Sequence, residues 1–218
     1  MNTFPVVVNV IDGTHIVSAF HGSKICVNQE DKSFNDMRSY WIGWAYKDFT
    51  NDEIPAYVKK RVQDGHESII EHVVAVVEIS HVSRAFLQQL ARHRLLSLSV
   101  QSTRWAMKSI IETNEGITQY ILPEELQDDA EVLTWLEQGK RIARRCRDQY
   151  KNDVAKYILP ECLPTKLLAT ANMREWRHIY KIRKDPPAMK EFNVFCEKLY
   201  QAFIEFYGEQ VTSVFFDT

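Results

Sequence analysis

Residues 72–94 read HVVAVVEISHVSRAFLQQLARHR, and this stretch indicates the fold class. Its first part, His72–Ser80, is rich in valine and is typical of a buried strand. A helix is predicted to begin near Ser83, because Phe86 and Leu90 then share one apolar face. A buried strand that passes directly into a helix, in a chain with mostly helical patterns elsewhere, predicts an α+β domain.

The remaining elements follow from hydrophobic periodicity and turn residues. Two short strands are predicted at 5–11 and 15–20, joined by a turn at Asp12-Gly13. Helices are predicted over about 34–49, 54–64, 130–159, 165–182 and 189–207. Residues 105–123 are predicted to be strand and loop, and residues 97–102 a serine-rich loop. The sequence shows no internal repeat and no linker, which indicates a single domain over residues 1–218.

The composition excludes several classes of protein. A formal net charge of −2 gives no global attraction to nucleic acid or to an acidic membrane. No apolar run approaches the length of a membrane span, and the N-terminal residues MNTFPVVVNVIDG lack the basic region of a signal peptide. The four cysteines are scattered and have no zinc-ligand spacing, which indicates no metal site and a reducing, cytoplasmic setting.

A cluster of cations lies between Glu78 and Glu112, an interval that contains no carboxylate. Its members are Arg84, Arg92, Arg94, Arg104 and Lys108, together with His81 and His93. Gln89, Arg92 and His93 have the spacing i, i+3, i+4 and are predicted to share one helix face. Arginine suits phosphate, so the cluster predicts a local anion site. The alternative is a solvated basic helix end, where cations also suit the helix dipole.

Three segments of the chain resemble the flavin-dependent thymidylate synthase family. Arg92-His93-Arg94, followed after seven residues by Ser102, resembles the family's signature. Residues 65–72, GHESIIEH, are similar to a second family segment, and Asn172-Met173-Arg174 with His178 and Arg183 is similar to a third. The resemblance covers roughly residues 65–185. It implies a central, mostly antiparallel sheet flanked by long helices, and a homotetramer with active sites shared between subunits.

The resemblance also implies roles for individual residues. The positions that match flavin-contacting residues of the family are Ser68, Arg92, His93, Arg94, Asn172, Arg174 and His178. The positions that match nucleotide-binding residues are Gln89, Arg92, Ser102, Thr103, Arg104, Lys156 and Arg183. Among these, Arg183 is implied to engage the pyrimidine ring and stabilise its negative charge. His93 is implied to position the flavin and folate or to relay a proton.

The implied reaction is reductive methylation of dUMP to dTMP. FAD is the implied cofactor, NADPH the reductant and methylenetetrahydrofolate the carbon donor. Such chemistry needs orientation and electrostatics from the protein rather than a covalent nucleophile. Cys162 lies in Pro160-Glu161-Cys162-Leu163-Pro164, outside the context that a cysteine nucleophile requires, and is interpreted as structural.

Several alternatives remain open from the sequence. Ser99-Val100 stands where the family usually has Asn-Glu, so a related enzyme that methylates or hydroxymethylates dCMP is a second hypothesis. A non-catalytic nucleic-acid-binding protein is a third. Ser68 could instead form a capping box with Glu71. Nine positions separate Arg174 from Arg183, which places them about 180° apart on a continuous helix, so both serve one site only if the helix breaks.

Overall fold

The computed structural model describes residues 4–26, 53–105 and 120–217. Its sheet contains four strands: β1 (Val7–Gly13), β2 (Val74–Ser83), β3 (Ser97–Val100) and β4 (Pro164–Asn172). Their order is β1-β2-β4-β3, and each neighbouring pair is antiparallel. The prediction of an α+β domain with an antiparallel sheet is therefore confirmed.

Helices surround this sheet. The α-helices are α1 (Val17–Cys26), α2 (Glu53–Gln63), α3 (Arg84–Leu90), α4 (Glu124–Gln127), α5 (Ala130–Tyr150), α6 (Asn152–Ala155), α7 (Met173–Arg183), α8 (Lys190–Tyr207) and α9 (Glu209–Phe216). Short 3₁₀ helices cover Glu67–His72 and Lys156–Ile158. The predicted helices at 54–64 and 189–207 are confirmed as α2 and α8. The helix predicted at 34–49 and most of the 105–123 segment lie outside the described residues.

Strands β2 and β4 form the middle of the sheet and bury alternate side chains in one core. These side chains are Ala75, Val77, Ile79, Leu167, Ala169 and Ala171. The core also takes large side chains from α7 and α8, including Trp176 and Phe203, whose rings lie 6.4 Å apart. This packing fixes α7 against the sheet, and α7 carries several of the predicted site residues.

The prediction of one helix over 165–182 is wrong in its first half. Residues 164–172 form β4, which pairs with β2 and β3. Thr165 is buried in this strand and does not cap a helix. The alternation of buried and partly exposed residues in PTKLLATAN has the period of a strand, and sheet pairing on both sides favours the extended backbone.

The prediction of a strand at 15–20 is also wrong, because α1 begins at Val17. His15 starts the helix: its Nδ1 accepts a hydrogen bond from the backbone N–H of Val17 at 3.2 Å. Strand β1 continues through Gly13, so the Asp12-Gly13 turn does not form a hairpin. A Cβ atom at Gly13 would collide with the hydroxyl of Tyr207, so this position requires glycine.

The long helix predicted over 130–159 ends earlier, at Tyr150. Lys151 has a φ of 94°, which ends α5 and redirects the chain into α6. The Asn152 side chain then donates a hydrogen bond of 2.7 Å to the carbonyl oxygen of Arg104. This contact holds the 152–158 segment against the chain that follows β3.

Candidate active site

Helix α7 begins where β4 ends, and Asn172 makes the transition. Its side-chain oxygen accepts a hydrogen bond of 3.0 Å from the backbone N–H of Glu175, which is an N-cap. The backbone N–H of Met173 also donates to the carbonyl oxygen of Val73 at 2.8 Å. The first turn of α7 is therefore fixed to the sheet and lies beside the 3₁₀ helix Glu67–His72.

His93 is buried against α7, with only 7% of its surface exposed. The Arg183 Nε–H donates a hydrogen bond of 3.4 Å to its Nε2 atom. Its Nδ1 atom lies 3.7 Å from Oε1 of Glu175. The imidazole of His178 packs edge-on at a centroid distance of 6.0 Å. The structure thus brings together His93, His178 and Arg183, three of the predicted site residues.

The environment of His93 keeps its imidazole neutral. Burial, together with the smaller effects of the nearby charges of Arg183 and His178, lowers the pKa of His93 to about 4. The imidazole is therefore neutral at pH 7. Because Nε2 accepts from Arg183, the single ring proton is on Nδ1, which faces Glu175.

A cavity of about 540 Å³ opens beside the start of α7. Its lining residues are Glu67, Glu71, Leu95, Asn172, Arg174, Glu175, Arg177, His178 and Lys181. Three of them, Asn172, Arg174 and His178, are residues that the family resemblance associates with flavin. Ser68, Arg92 and Arg94 are not among the lining residues in the described part of the chain.

Carboxylates of the 3₁₀ helix balance the cations of this cavity. Arg174 Nη1 donates to Oε1 of Glu71 at 2.5 Å, and its Nε lies 3.6 Å from Oε2 of Glu67. The hydrogen bond to Glu71 raises the pKa of Arg174. Arg177 is buried, and its Nη2 lies 3.4 Å from Oε1 of Glu67. Burial lowers the pKa of Arg177, although both guanidiniums keep their charge at neutral pH.

Besides Glu175, sequence reasoning missed two carboxylates and two cations of this cavity: Glu67, Glu71, Arg177 and Lys181. The sequence contains a pattern that could have identified each of these four residues. The two carboxylates belong to the GHESIIEH segment, and the two cations follow Arg174 at i+3 and i+7, the spacing of one helix face.

A second group of predicted residues lies near the end of β3. The Asp153 carboxylate is 3.7 Å from Nη1 of Arg104 and 3.3 Å from Nζ of Lys156. Ser102 Oγ accepts from the backbone N–H of Trp105 at 3.5 Å, and Thr103 lies between them. The structure therefore brings the predicted nucleotide residues Arg104 and Lys156 together around one carboxylate.

This arrangement supplies the carboxylate neighbours that the sequence interval between Glu78 and Glu112 does not contain. Asp153 and Glu175, both distant in sequence, lie against Arg104 and His93. Arg92 and Arg94 are exposed, and neither makes an ion pair with another described residue. The anion-site interpretation therefore rests on fewer free cations than the sequence suggests.

The predicted shared helix face of Gln89, Arg92 and His93 is wrong. Helix α3 ends at Leu90, and the next residues form turns in which His93 points inward while Arg92 stays exposed. The capping-box alternative for Ser68 is wrong as well, because the 3₁₀ helix has no side-chain cap. Ser68 and Gln89 are both exposed. The serine-rich loop is partly strand β3, in which Ser99 and Val100 are exposed.

Helix α7 is continuous from Met173 to Arg183. Its two key arginines therefore make separate contacts. Arg174 lines the cavity with Glu71, whereas Arg183 contacts His93 and lies 5.1 Å from the ring centroid of Phe192.

A family model described as thymidylate synthase complementing protein matches residues 16–207. The chain belongs to this family. The flavin-dependent thymidylate synthase of Pyrococcus furiosus is 29% identical over 157 residues, which cover 66% of this chain and 62% of that protein. The enzyme of that name from Wolinella succinogenes is 34% identical over 144 residues, covering 63% and 70%. The chain thus spans less than two thirds of the length of its Pyrococcus relatives.

Solved structures of other proteins share the fold of this chain. Thymidylate synthase X from Helicobacter pylori, crystallised with FAD and dUMP, superposes with a TM-score of 0.76 at 22% identity, covering 96% of this chain and 97% of that one. The UMP/dUMP methylase PolB from Streptomyces cacaoi, bound to 5-Br dUMP, gives a TM-score of 0.70 at 15% identity and covers 96% and 94%. At these identities the likeness shows the fold.

A second cavity, of about 520 Å³, is mostly apolar and contains none of the predicted site residues. Cys162 lies in its wall, and burial raises the pKa of its thiol to about 11. The thiol is therefore protonated at neutral pH, which agrees with a structural role. Within the described ranges, no helix is both long and apolar enough to span a bilayer.

Proposed function

We propose that this chain catalyses FAD-dependent reductive methylation of dUMP to dTMP, with methylenetetrahydrofolate as carbon donor and NADPH as reductant. The observation that carries the proposal is the cavity at the start of α7. Asn172, Arg174 and His178 line it together, although the resemblance assigned each of them to the flavin separately. Membership of the family supports an enzyme over a non-catalytic nucleic-acid-binding protein.

The donors of this cavity fit a flavin cofactor. FAD carries two phosphates and a ring system edged with carbonyl oxygens and ring nitrogens. Arg174 and Lys181 supply cationic donors for phosphate, and Asn172 and His178 supply polar groups for a ring edge. When bound and reduced by NADPH, the flavin would supply the two electrons of the reaction as hydride.

Arg183 is the residue proposed to act on the pyrimidine. Its guanidinium would stabilise negative charge that develops on the ring. His93 accepts its Nε–H, and Phe192 lies under its guanidinium, so two neighbours restrict its orientation. A restricted cation loses little entropy when the substrate binds, which favours catalysis.

Arg104 and Lys156 are proposed to bind the nucleotide phosphate, with Ser102 and Thr103 beside them. Both cations already meet at one anionic group, the Asp153 carboxylate. A phosphate has the same charge sign and similar acceptor oxygens, so the same two side chains can converge on it. Gln89, Arg92 and Arg94 remain proposed contacts to nucleotide or flavin, and their exposure leaves them accessible.

A homotetramer with shared active sites is also proposed. Arg174 and Arg183 contact different surroundings on one continuous helix, so a second copy could complete each site. Trp105 and Tyr157 are 81% and 83% exposed, which is unusual for large aromatic side chains and suits burial against another subunit. Sedimentation analysis of active enzyme should give a tetramer, and a fully active monomer would contradict this. A cytoplasmic location is proposed with it.

A competition assay tests the proposed reaction. The purified protein receives FAD, NADPH, methylenetetrahydrofolate and equal amounts of dUMP and dCMP, and products are identified by mass spectrometry. A one-methyl mass gain on dUMP alone supports the proposal. A mass gain on dCMP, or a mass gain of one hydroxymethyl group, would instead indicate an enzyme that acts on another base or makes another product. The exposed Ser99-Val100 segment would then mark that difference from the family. Nucleic acid that co-purifies, with no product, would favour the binding protein.

A further inference from the structure

Glu175 contacts both the cavity and His93. It is 6% exposed, and its Oε1 lies 3.7 Å from Nδ1 of His93. Its backbone N–H donates a hydrogen bond to the Asn172 side chain, and this contact fixes the backbone from which the Glu175 side chain extends. Burying a carboxyl group is costly unless polar groups compensate, and here the imidazole of His93 faces it.

The contact determines which nitrogen of His93 carries the proton. At 3.7 Å it is electrostatic and longer than a full hydrogen bond, and such contacts often tighten when a ligand binds. A lone pair on Nδ1 would face the oxygen lone pairs of Glu175 and be repelled. A proton on Nδ1 is attracted, so the carboxyl group favours the Nδ1–H tautomer.

The opposite tautomer would disrupt the contact with Arg183. With the proton on Nε2, that N–H would point at the Nε–H of Arg183, and two donors would meet at 3.4 Å. The guanidinium would then turn away or lose its partner. The orientation of Arg183 therefore depends on the tautomer of His93.

We propose that Glu175 is a positioning residue, which holds His93 in the neutral Nδ1–H tautomer so that Nε2 accepts from Arg183 and orients its guanidinium. The role of that guanidinium in the reaction rests on the proposed function above. The tautomer itself does not depend on it, so the two can fail separately.

Nitrogen NMR on full-length protein with ¹⁵N-labelled histidine tests the tautomer without any substrate. The His93 signals, assigned with a His93→Gln variant, should show a protonated Nδ1 and an unprotonated Nε2 at pH 7. In Glu175→Leu they should shift toward the Nε2–H form. A wild-type His93 protonated on Nε2, or an unchanged pattern in Glu175→Leu, overturns the proposal.

Kinetics on the holoenzyme test the consequence for Arg183. Glu175→Gln, which preserves shape, should lower kcat/KM for dUMP about tenfold. In an Arg183→Ala background the same change should have almost no further effect, because the two residues act as one unit. The matched control is Glu205→Gln, an exposed carboxyl on α8 that should change nothing.

The outcomes separate the two claims. Additive losses in the double variant would mean that Glu175 acts only through general stability, and this overturns the positioning role. A wild type that forms no dTMP but shows the Nδ1–H tautomer, lost in Glu175→Leu, removes the proposed function and keeps the tautomer assignment.

Discussion

Asp153 occupies the position between Arg104 and Lys156 that the proposed nucleotide phosphate would take. Its carboxylate lies 3.7 and 3.3 Å from the two cations, and all three side chains are exposed. Exposed pairs of this kind contribute between about 0 and 1 kcal/mol each. The two ion pairs together therefore contribute on the order of 1 kcal/mol, which a bound phosphate has to offset. This free energy corresponds to about a fivefold change in the affinity for dUMP.

The Asp153→Asn variant should accordingly bind dUMP more tightly. We expect its KM for dUMP to fall about fivefold at low salt, with kcat little changed. The gain should shrink at high salt, since exposed charges are screened. Initial rates at both ionic strengths measure this.

The control is Asp148→Asn, which removes an exposed carboxylate paired with the partly buried Arg147 on α5 and should leave the KM unchanged. If Asp153→Asn raises the KM for dUMP, the carboxylate organises the two cations for substrate instead of competing with it. An unchanged KM at low salt would remove Arg104 and Lys156 from the phosphate site.

Three further predictions concern the histidine and arginine residues. Arg183→Ala should lower turnover strongly while FAD stays bound, as flavin absorbance after gel filtration will show; full activity would exclude Arg183 from the mechanism. Arg92→Ala should weaken FAD binding and raise the KM for dUMP, and no change in either would exclude its placement. His93 and His15 both have a pKa of about 4 in the folded protein because they are buried. Unfolding returns both pKa values to about 6.5. The free energy of unfolding should therefore fall as the pH drops from 6.5 toward 4, by on the order of 3 kcal/mol per histidine. Urea unfolding at pH 7 and pH 5 should show this, and a flat profile would contradict it.

The fold was partly predictable because its strongest signals are local. The valine-rich stretch before Ser83 predicts β2, and Ser83 does cap α3 by accepting from the N–H of Phe86 at 2.9 Å. Strand β4 was predicted as a helix because its short apolar run has no decisive period, and only pairing with β2 and β3 fixes it. The end of α5 depends on the positive φ of Lys151, which apolar spacing does not reveal.

The site was predictable from motif resemblance and not from local chemistry. His93 is buried and Arg92 and Arg94 are exposed, a division that the adjacent positions in the triplet do not indicate. The partners Glu175 and Asp153 come from segments far along the chain, and only tertiary packing brings them to the cations. Sequence patterns identify such residues as charged, and the fold decides which charges meet.

The proposed reaction requires reduced flavin to deliver two electrons to the one-carbon unit that is transferred to dUMP. Full-length protein is loaded with FAD, reduced anaerobically, and mixed with dUMP and methylenetetrahydrofolate while flavin absorbance and dTMP are followed in a single turnover. We expect the flavin to reoxidise as dTMP forms, with one dTMP for each reduced flavin. Flavin that does not bind, or that stays reduced with both substrates present, would contradict it.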